Sequence, residues 1–124
     1  DDKIELHNSG AAVAEVSGWI LTDAPVGPAY DPALDTGKLL FPAASSLAAG
    51  EFLVIGKGDL PGQHPFGLAA EGDTVSLLRP DLTVAAQVSY GDQGAANSFC
   101  RLPDGPDGIW TADCTPTFGP TNLP

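Results

Sequence analysis

At 124 residues the chain is one domain's worth, long enough to bury a core of its own. Its net charge of −11 repels phosphate backbones and anionic membranes, and no apolar run is long enough to cross a bilayer, so nucleic-acid binding and membrane insertion are not expected. With 15 glycines and 12 prolines cutting Val, Ile, Leu, Phe and Trp into short runs, few places remain for a long helix, and the composition reads as all-β.

The first predicted strand is "KIELHN" (3–8), where Ile4 and Leu6 alternate with Lys3, Glu5 and His7 as on a half-buried strand. Asn8-Ser9-Gly10 turns the chain into "VAEVSGWILTD", a strand interrupted at Gly18. A glycine inside such a pattern suggests a bulge, here one that re-aims Trp19 toward the core, with Leu21 on the same face. Residues 24–37, "APVGPAYDPALDTG", form a loop that is long for a compact domain. "KLLFP" (38–42) is a short strand stopped by Pro42, and "AASSLAAG" (43–50) a connecting turn with Leu47 tucked in. "EFLVIGK" (51–57), the most apolar run, is the expected central strand.

A second long loop, 58–72, carries Phe66 and Leu68 as its pins to the core. "DTVSLLRPD" (73–81) and "TVAAQVSYG" (83–91) read as a hairpin around Pro80-Asp81, with Val75, Leu77, Val84, Ala86, Val88 and Tyr90 facing inward. "SFCRL" (98–102) and "IWTAD" (109–113) form a last hairpin around Pro103-Asp104-Gly105-Pro106-Asp107-Gly108, and residues 115–124 an extended, proline-rich tail. Cys100 and Cys114 flank that hairpin; they are either a disulfide closing a short loop, worth about 3 kcal/mol, or two buried thiols, and the disulfide is the expectation. It implies an oxidising compartment. The count is about eight short strands in one domain spanning residues 1–124, a spacing that points to a β-sandwich. Opening on Asp1-Asp2 and lacking Met, the chain reads as a processed protein or an excised module.

Four segments, in order, resemble a known family. "IELHNSG" before "VSGWILTD" is similar to the opening of the lamin tail domain, an Ile-Glu-Leu-x-Asn strand followed by Gly-Trp-x-Leu. "LLFPAASSLAAGEFLVIG" (39–56) resembles its Phe-Pro, Leu-x-Ala-Gly and apolar-strand signature. "LAAEGDTVSLLRPDLTVAAQVSYGDQ" (68–93) resembles its Gly-Asp-x-Val-x-Leu strand and returning Val-x-Tyr-Gly, and "SFCRLPDGPDGIWTADCTPTFGPTN" (98–122) the close of its bacterial versions. The resemblance implies an immunoglobulin-like β-sandwich with Trp19 as its core tryptophan, packed between two sheets. It also implies a non-catalytic attachment or interaction module of a secreted or surface bacterial protein, beside another domain. The nuclear scaffold role of lamins does not carry over, since no coiled-coil rod is present and the −11 charge opposes DNA.

The chemistry-bearing residues agree with a non-catalytic reading. His7 lies on the outward face of a strand and His64 in a loop before Pro65, neither beside a nucleophile; Gly-x-Ser-x-Gly, phosphate-loop, His-Glu-x-x-His and Cys-x-x-Cys patterns are absent. A calcium ion is the one cofactor the sequence leaves room for. Hard cations want several oxygens at once, and Asp23, Asp31 and Asp35 of the Asp23–Asp35 loop are the first choice, ahead of Asp104 and Asp107, whose ordinary role is turn formation. For a protein or glycan partner the candidate contacts are Tyr30, Phe66 and Trp110, the aromatics least committed to the core, with Tyr30 the best placed for exposure and Phe66 and Trp110 alternatively capping the core's ends. The expected state is a monomeric module.

Overall fold

A computed structural model describes residues 3–68, 72–91, 98–102 and 109–114, with side chains for 4–68 and 72–89. Among the described residues there is no helix, and hence none long and apolar enough to cross a membrane; every ladder is antiparallel. The chain is all-β.

The alternation of "KIELH" makes β1 (Lys3–His7), which pairs with β6 (Phe52–Gly56) so that Ile4 lies opposite Ile55 and Leu6 opposite Leu53. His7 and Phe52, also opposite, stack their rings 4.1 Å apart and 2° from parallel. Asn8 then reverses the chain: its Nδ2 donates to the carbonyls of Ala12 and Leu47, and its Oδ1 accepts from the Gly10 amide.

The segment expected as one interrupted strand is two. β2 (Ala14–Glu15) pairs with β5 (Ser46–Leu47), and β3 (Ile20–Thr22) enters a different sheet, between β4 (Leu39–Leu40) and β7 (Gly72–Leu78). β8 (Val84–Gly91) completes the order β4-β3-β7-β8. The break is a turn rather than a bulge. The Trp19 amide donates to the Val16 carbonyl at 3.1 Å, and Gly18 takes φ +76°. β9 (Ser98–Leu102) and β10 (Ile109–Cys114) form the last hairpin, with Cys100 opposite Thr111 and Cys114 opposite Ser98. The described residues thus hold ten strands, against about eight expected; the extra two come from the split at Gly18 and from the short β5 within the segment read as a turn.

One core cluster draws on three of the four sheets among the described residues. Leu21, Leu39, Phe41 and Val75 come from the four-stranded sheet and its flanks, Val16 and Leu47 from the β2–β5 region, Ile55 from β6 and Phe66 from the following loop. Ile4, Leu6, Trp19, Leu53, Leu68 and Val88 pack around it. Trp19 is therefore a half-buried wall of the core, with the Arg79 guanidinium 6.0 Å from its ring centroid on the cation–π side.

Two further expectations change. The strand buried along its whole length is β3, not β6: Ile20, Leu21 and Thr22 are all buried, whereas Val54 on β6 is exposed. An apolar run is no guide to centrality where every second residue faces outward. In the 72–91 hairpin a bulge sets Leu78 opposite Val84 and Leu77 opposite Ala86. The extra residue, Ala85, puts Val84 on the face of Leu78 and off that of Val75 and Val88, which meet at the core; at the strand's start Val84 is exposed rather than inward, although Leu78 opposite it is buried. Ala86 is also exposed, and the Tyr90 side chain lies outside the described residues.

Leu21 is 1 % exposed and Leu34 is 80 % exposed, and the stability of their alanine variants should separate accordingly. In urea, Leu21→Ala should lose about 2–5 kcal/mol of unfolding free energy and Leu34→Ala no more than about 0.5 kcal/mol.

Candidate functional site

Thr22 ends β3 fully buried, and the 24–37 loop begins after the intervening Asp23. The loop makes sequential turns, with the Tyr30 amide donating to Gly27 and the Leu34 amide to Asp31. Its attachment to the sheet is concentrated on Asp35. Asp35 Oδ2 accepts from the Thr22 hydroxyl at 2.6 Å and from the Tyr30 hydroxyl at 2.8 Å. Asp35 Oδ1 accepts from the Gly37 amide at 3.2 Å, and Lys38 Nζ donates to the Asp35 carbonyl at 3.0 Å.

This geometry sets the local electrostatics. Burial alone raises the Asp35 carboxyl, but the hydrogen bonds from Thr22, Tyr30 and Gly37 and the charge of Lys38 outweigh it and hold the group below 3.8. The Tyr30 hydroxyl is pushed up to about 12, by burial first and then by its bond to the Asp35 carboxylate. Asp23 moves the other way from Asp35. Burial and then the neighbouring Asp73 carboxylate raise it, with Asp35 adding a smaller repulsion.

Asp23 and Asp73 share a cleft of about 350 Å3 between the root of the loop and the β7–β8 face, where Val26, Thr74, Ser76 and Gln87 are further walls. Gln87 Nε2 donates to the buried Ser76 Oγ at 2.8 Å, fixing the floor. A second cleft, of about 320 Å3, runs along the edge strand β4 beneath the 58–65 loop. Leu40, Pro42, Leu60 and Pro61 line it, with Leu40 55 % and Leu60 68 % exposed.

The expected calcium ligands do not converge. Asp35 spends both carboxylate oxygens on the loop's own donors, Asp31 is exposed and caps the Ala33 amide in a local turn, and Asp23 faces Asp73 instead. Among the described residues no group of three or more His, Cys, Asp or Glu could hold a metal ion. Asp in a Pro- and Gly-rich loop is as apt to tie the loop's backbone as to bind a cation, and here the backbone prevails. Asp104 and Asp107 lie outside the described residues.

Of the aromatics proposed for a partner, Tyr30 is half-buried with its hydroxyl committed to Asp35, and Phe66 is a core side chain at 7 % exposure. Phe66 is therefore withdrawn as a contact: two loop residues, Phe66 and Leu68, reach back to the cluster. Trp110 sits opposite Arg101 in the last hairpin; its side chain, like those of Cys100 and Cys114, lies outside the described residues. His64, in the loop before Pro65, is fully buried. Its Nδ1 donates to the Phe66 carbonyl at 2.8 Å, its ring tilts against that of Phe66, and its Nε2 has no hydrogen-bond partner. No local signal marks Asp73, Leu40 and Leu60 as cleft residues; strand register and loop packing place them at the two clefts.

Comparison with protein-family models, with curated proteins and with solved structures gives no match.

The two carboxyl groups should respond to acid in opposite senses. Asp35, held below 3.8, contributes stability that is present above its unfolded value and is lost as pH falls through its lower folded value. Asp23, raised above 3.8, contributes stability that is full below that value and is lost as pH rises through its folded one. At neutral pH, Asp35→Asn should therefore lower stability by about 1–3 kcal/mol and Asp23→Asn raise it by up to about 1 kcal/mol. Melting curves recorded down to about pH 3 should show both differences shrinking toward zero.

Proposed function

We propose that this chain is a non-catalytic interaction module of the lamin-tail kind, an immunoglobulin-like β-sandwich acting in a secreted or cell-surface protein beside a larger domain. The all-β antiparallel ladders and the core drawn from both the β1–β6 pair and the four-stranded sheet support the sandwich. Trp19, following Gly18 and packed against that core, supports the kinship with its Gly-Trp signature. The last hairpin sets Cys100 opposite Thr111 and Cys114 opposite Ser98, on facing strands but not opposite each other, so the secreted setting rests on the resemblance and not on a cross-link.

The observation that carries the interaction role is the cleft along β4, where exposed leucines stand among the polar side chains of Lys38, Asp59 and Gln63. Leu40 and Leu60 are more than half exposed and flank the same cleft with Pro42 and Pro61. Exposed leucines beside a strand that is outermost among the described residues are suited to protein contact: the leucines supply burial and the strand edge supplies main-chain donors and acceptors. The net charge of −11 keeps such a surface soluble and favours a partner with basic groups around an apolar centre.

The test is retention of the fluorescently labelled domain on intact cells of the organism that makes it. The reading predicts saturable retention, abolished by protease treatment of the cells and reduced roughly tenfold or more by the double variant Leu40→Glu, Leu60→Glu with an unchanged melting temperature. Retention that does not saturate, or that the double variant leaves intact, overturns it.

A further inference from the structure

We propose that residues 24–37 are a strap latched to the end of β3 by the Asp35 carboxylate, and that acid unlatches it and uncovers the β7–β8 wall of the Asp23–Asp73 cleft.

Among the described residues the strap has little else to hold it. No residue from 24 to 37 belongs to the buried core, and Gly27, Pro28, Ala29, Asp31, Ala33 and Leu34 are exposed. Its backbone hydrogen bonds at Tyr30, Leu34 and Asp35 are internal turns that travel with it. The tie to the sheet is the 2.6 Å bond from the buried Thr22 hydroxyl to Asp35, with the Tyr30 hydroxyl sharing the same oxygen. Thr22 itself accepts from the Ala24 amide at 3.1 Å, so one hydroxyl pins both ends of the strap.

Bonds that end on an ionised carboxylate are about twice as strong as neutral ones. Protonating Asp35 turns an acceptor of two hydroxyls and an amide into a neutral acid, and the latch weakens where it is most concentrated. The groups facing Asp35 are few. Tyr30 and Lys38 flank it on its own segment, Asp23 repels it from the end of β3, and Asp73 on β7 bears on Asp23. Asp23 gains its proton at higher pH than Asp35 does, because the two are shifted in opposite directions. Acid therefore first relieves repulsion at the strap's root and then releases its latch. Residues 23–26 form one wall of the cleft, so release exposes the opposite wall, Thr74, Ser76 and Gln87.

The experiment is hydrogen–deuterium exchange by mass spectrometry on the whole chain at about pH 7 and about pH 3, corrected for intrinsic rates, for wild type, Asp35→Asn and Tyr30→Phe. The expected result is that wild type in acid, and Asp35→Asn at both pH values, exchange roughly tenfold faster across 24–37 than wild type at neutral pH, while β3 and β7 stay protected. Tyr30→Phe, which keeps the carboxylate and loses one donor, should fall between. If Asp35→Asn does not fold, acid loosening confined to 24–37 in wild type, enhanced in Tyr30→Phe, supports the proposal. It is overturned if the strap loosens only together with β3 and β7, if acid leaves it unchanged, or if Asp35→Asn retains the wild-type acid response.

Discussion

Between Val16 and Trp19 the backbone reverses through a glycine at φ +76°, the value a type II turn asks of its third residue. This turn lets one stretch of chain serve two sheets. Before it, the Val16 amide donates to Ser45 and β2 pairs with β5; after it, β3 joins β4 and β7. The returning chain crosses at the same point. The Gly18 amide donates to the Phe41 carbonyl, and the Phe41 amide to the Trp19 carbonyl. Two neighbouring segments thus cross together, and Val16, Leu21, Leu39, Phe41 and Leu47 reach a common core from both sides of the crossing. A side chain at position 18 would meet only the Pro80 ring, at an ordinary 3.7 Å, so conformation rather than space selects glycine.

Trp19 follows from that turn. Its ring packs against the core beside the crossing, with Arg79 from the start of the β7–β8 turn over its face. The same geometry fixes β3 with both faces covered and delivers Thr22 to the one place where a buried hydroxyl can hold the 24–37 segment. The two clefts lie on either side of this strand's neighbours, one against β7 and β8 and one along β4. Loops held by few contacts on a rigid sheet are the ordinary place for recognition to reside.

Local periodicity was readable wherever neighbours in sequence decide the outcome. Ile4 and Leu6 alternate as β1 requires, Pro80-Asp81 marks the 72–91 hairpin, and Phe66 and Leu68 are legible as the pins of the second loop. What escaped depends on contacts distant in sequence. Ser46–Leu47 become a strand only because Ala14–Glu15 lie beside them. Asp35 looked like a cation ligand because its residue type suits both tasks, and only the approach of the Thr22 and Tyr30 hydroxyls decides between them. The Asp23–Asp73 pairing and the Leu40–Leu60 patch arise from strand register and loop packing, to which composition is blind.

The most direct test of the crossing turn is the urea unfolding of Gly18→Ala beside Gly27→Ala, a loop glycine that also has open space for a methyl group but no left-handed φ. The left-handed backbone at position 18 predicts a loss of about 1–2 kcal/mol for Gly18→Ala and a change within about 0.5 kcal/mol for Gly27→Ala. Equal stabilities for the two variants, or a Gly18→Ala chain as stable as wild type, would contradict the turn's place as the joint between the sheets.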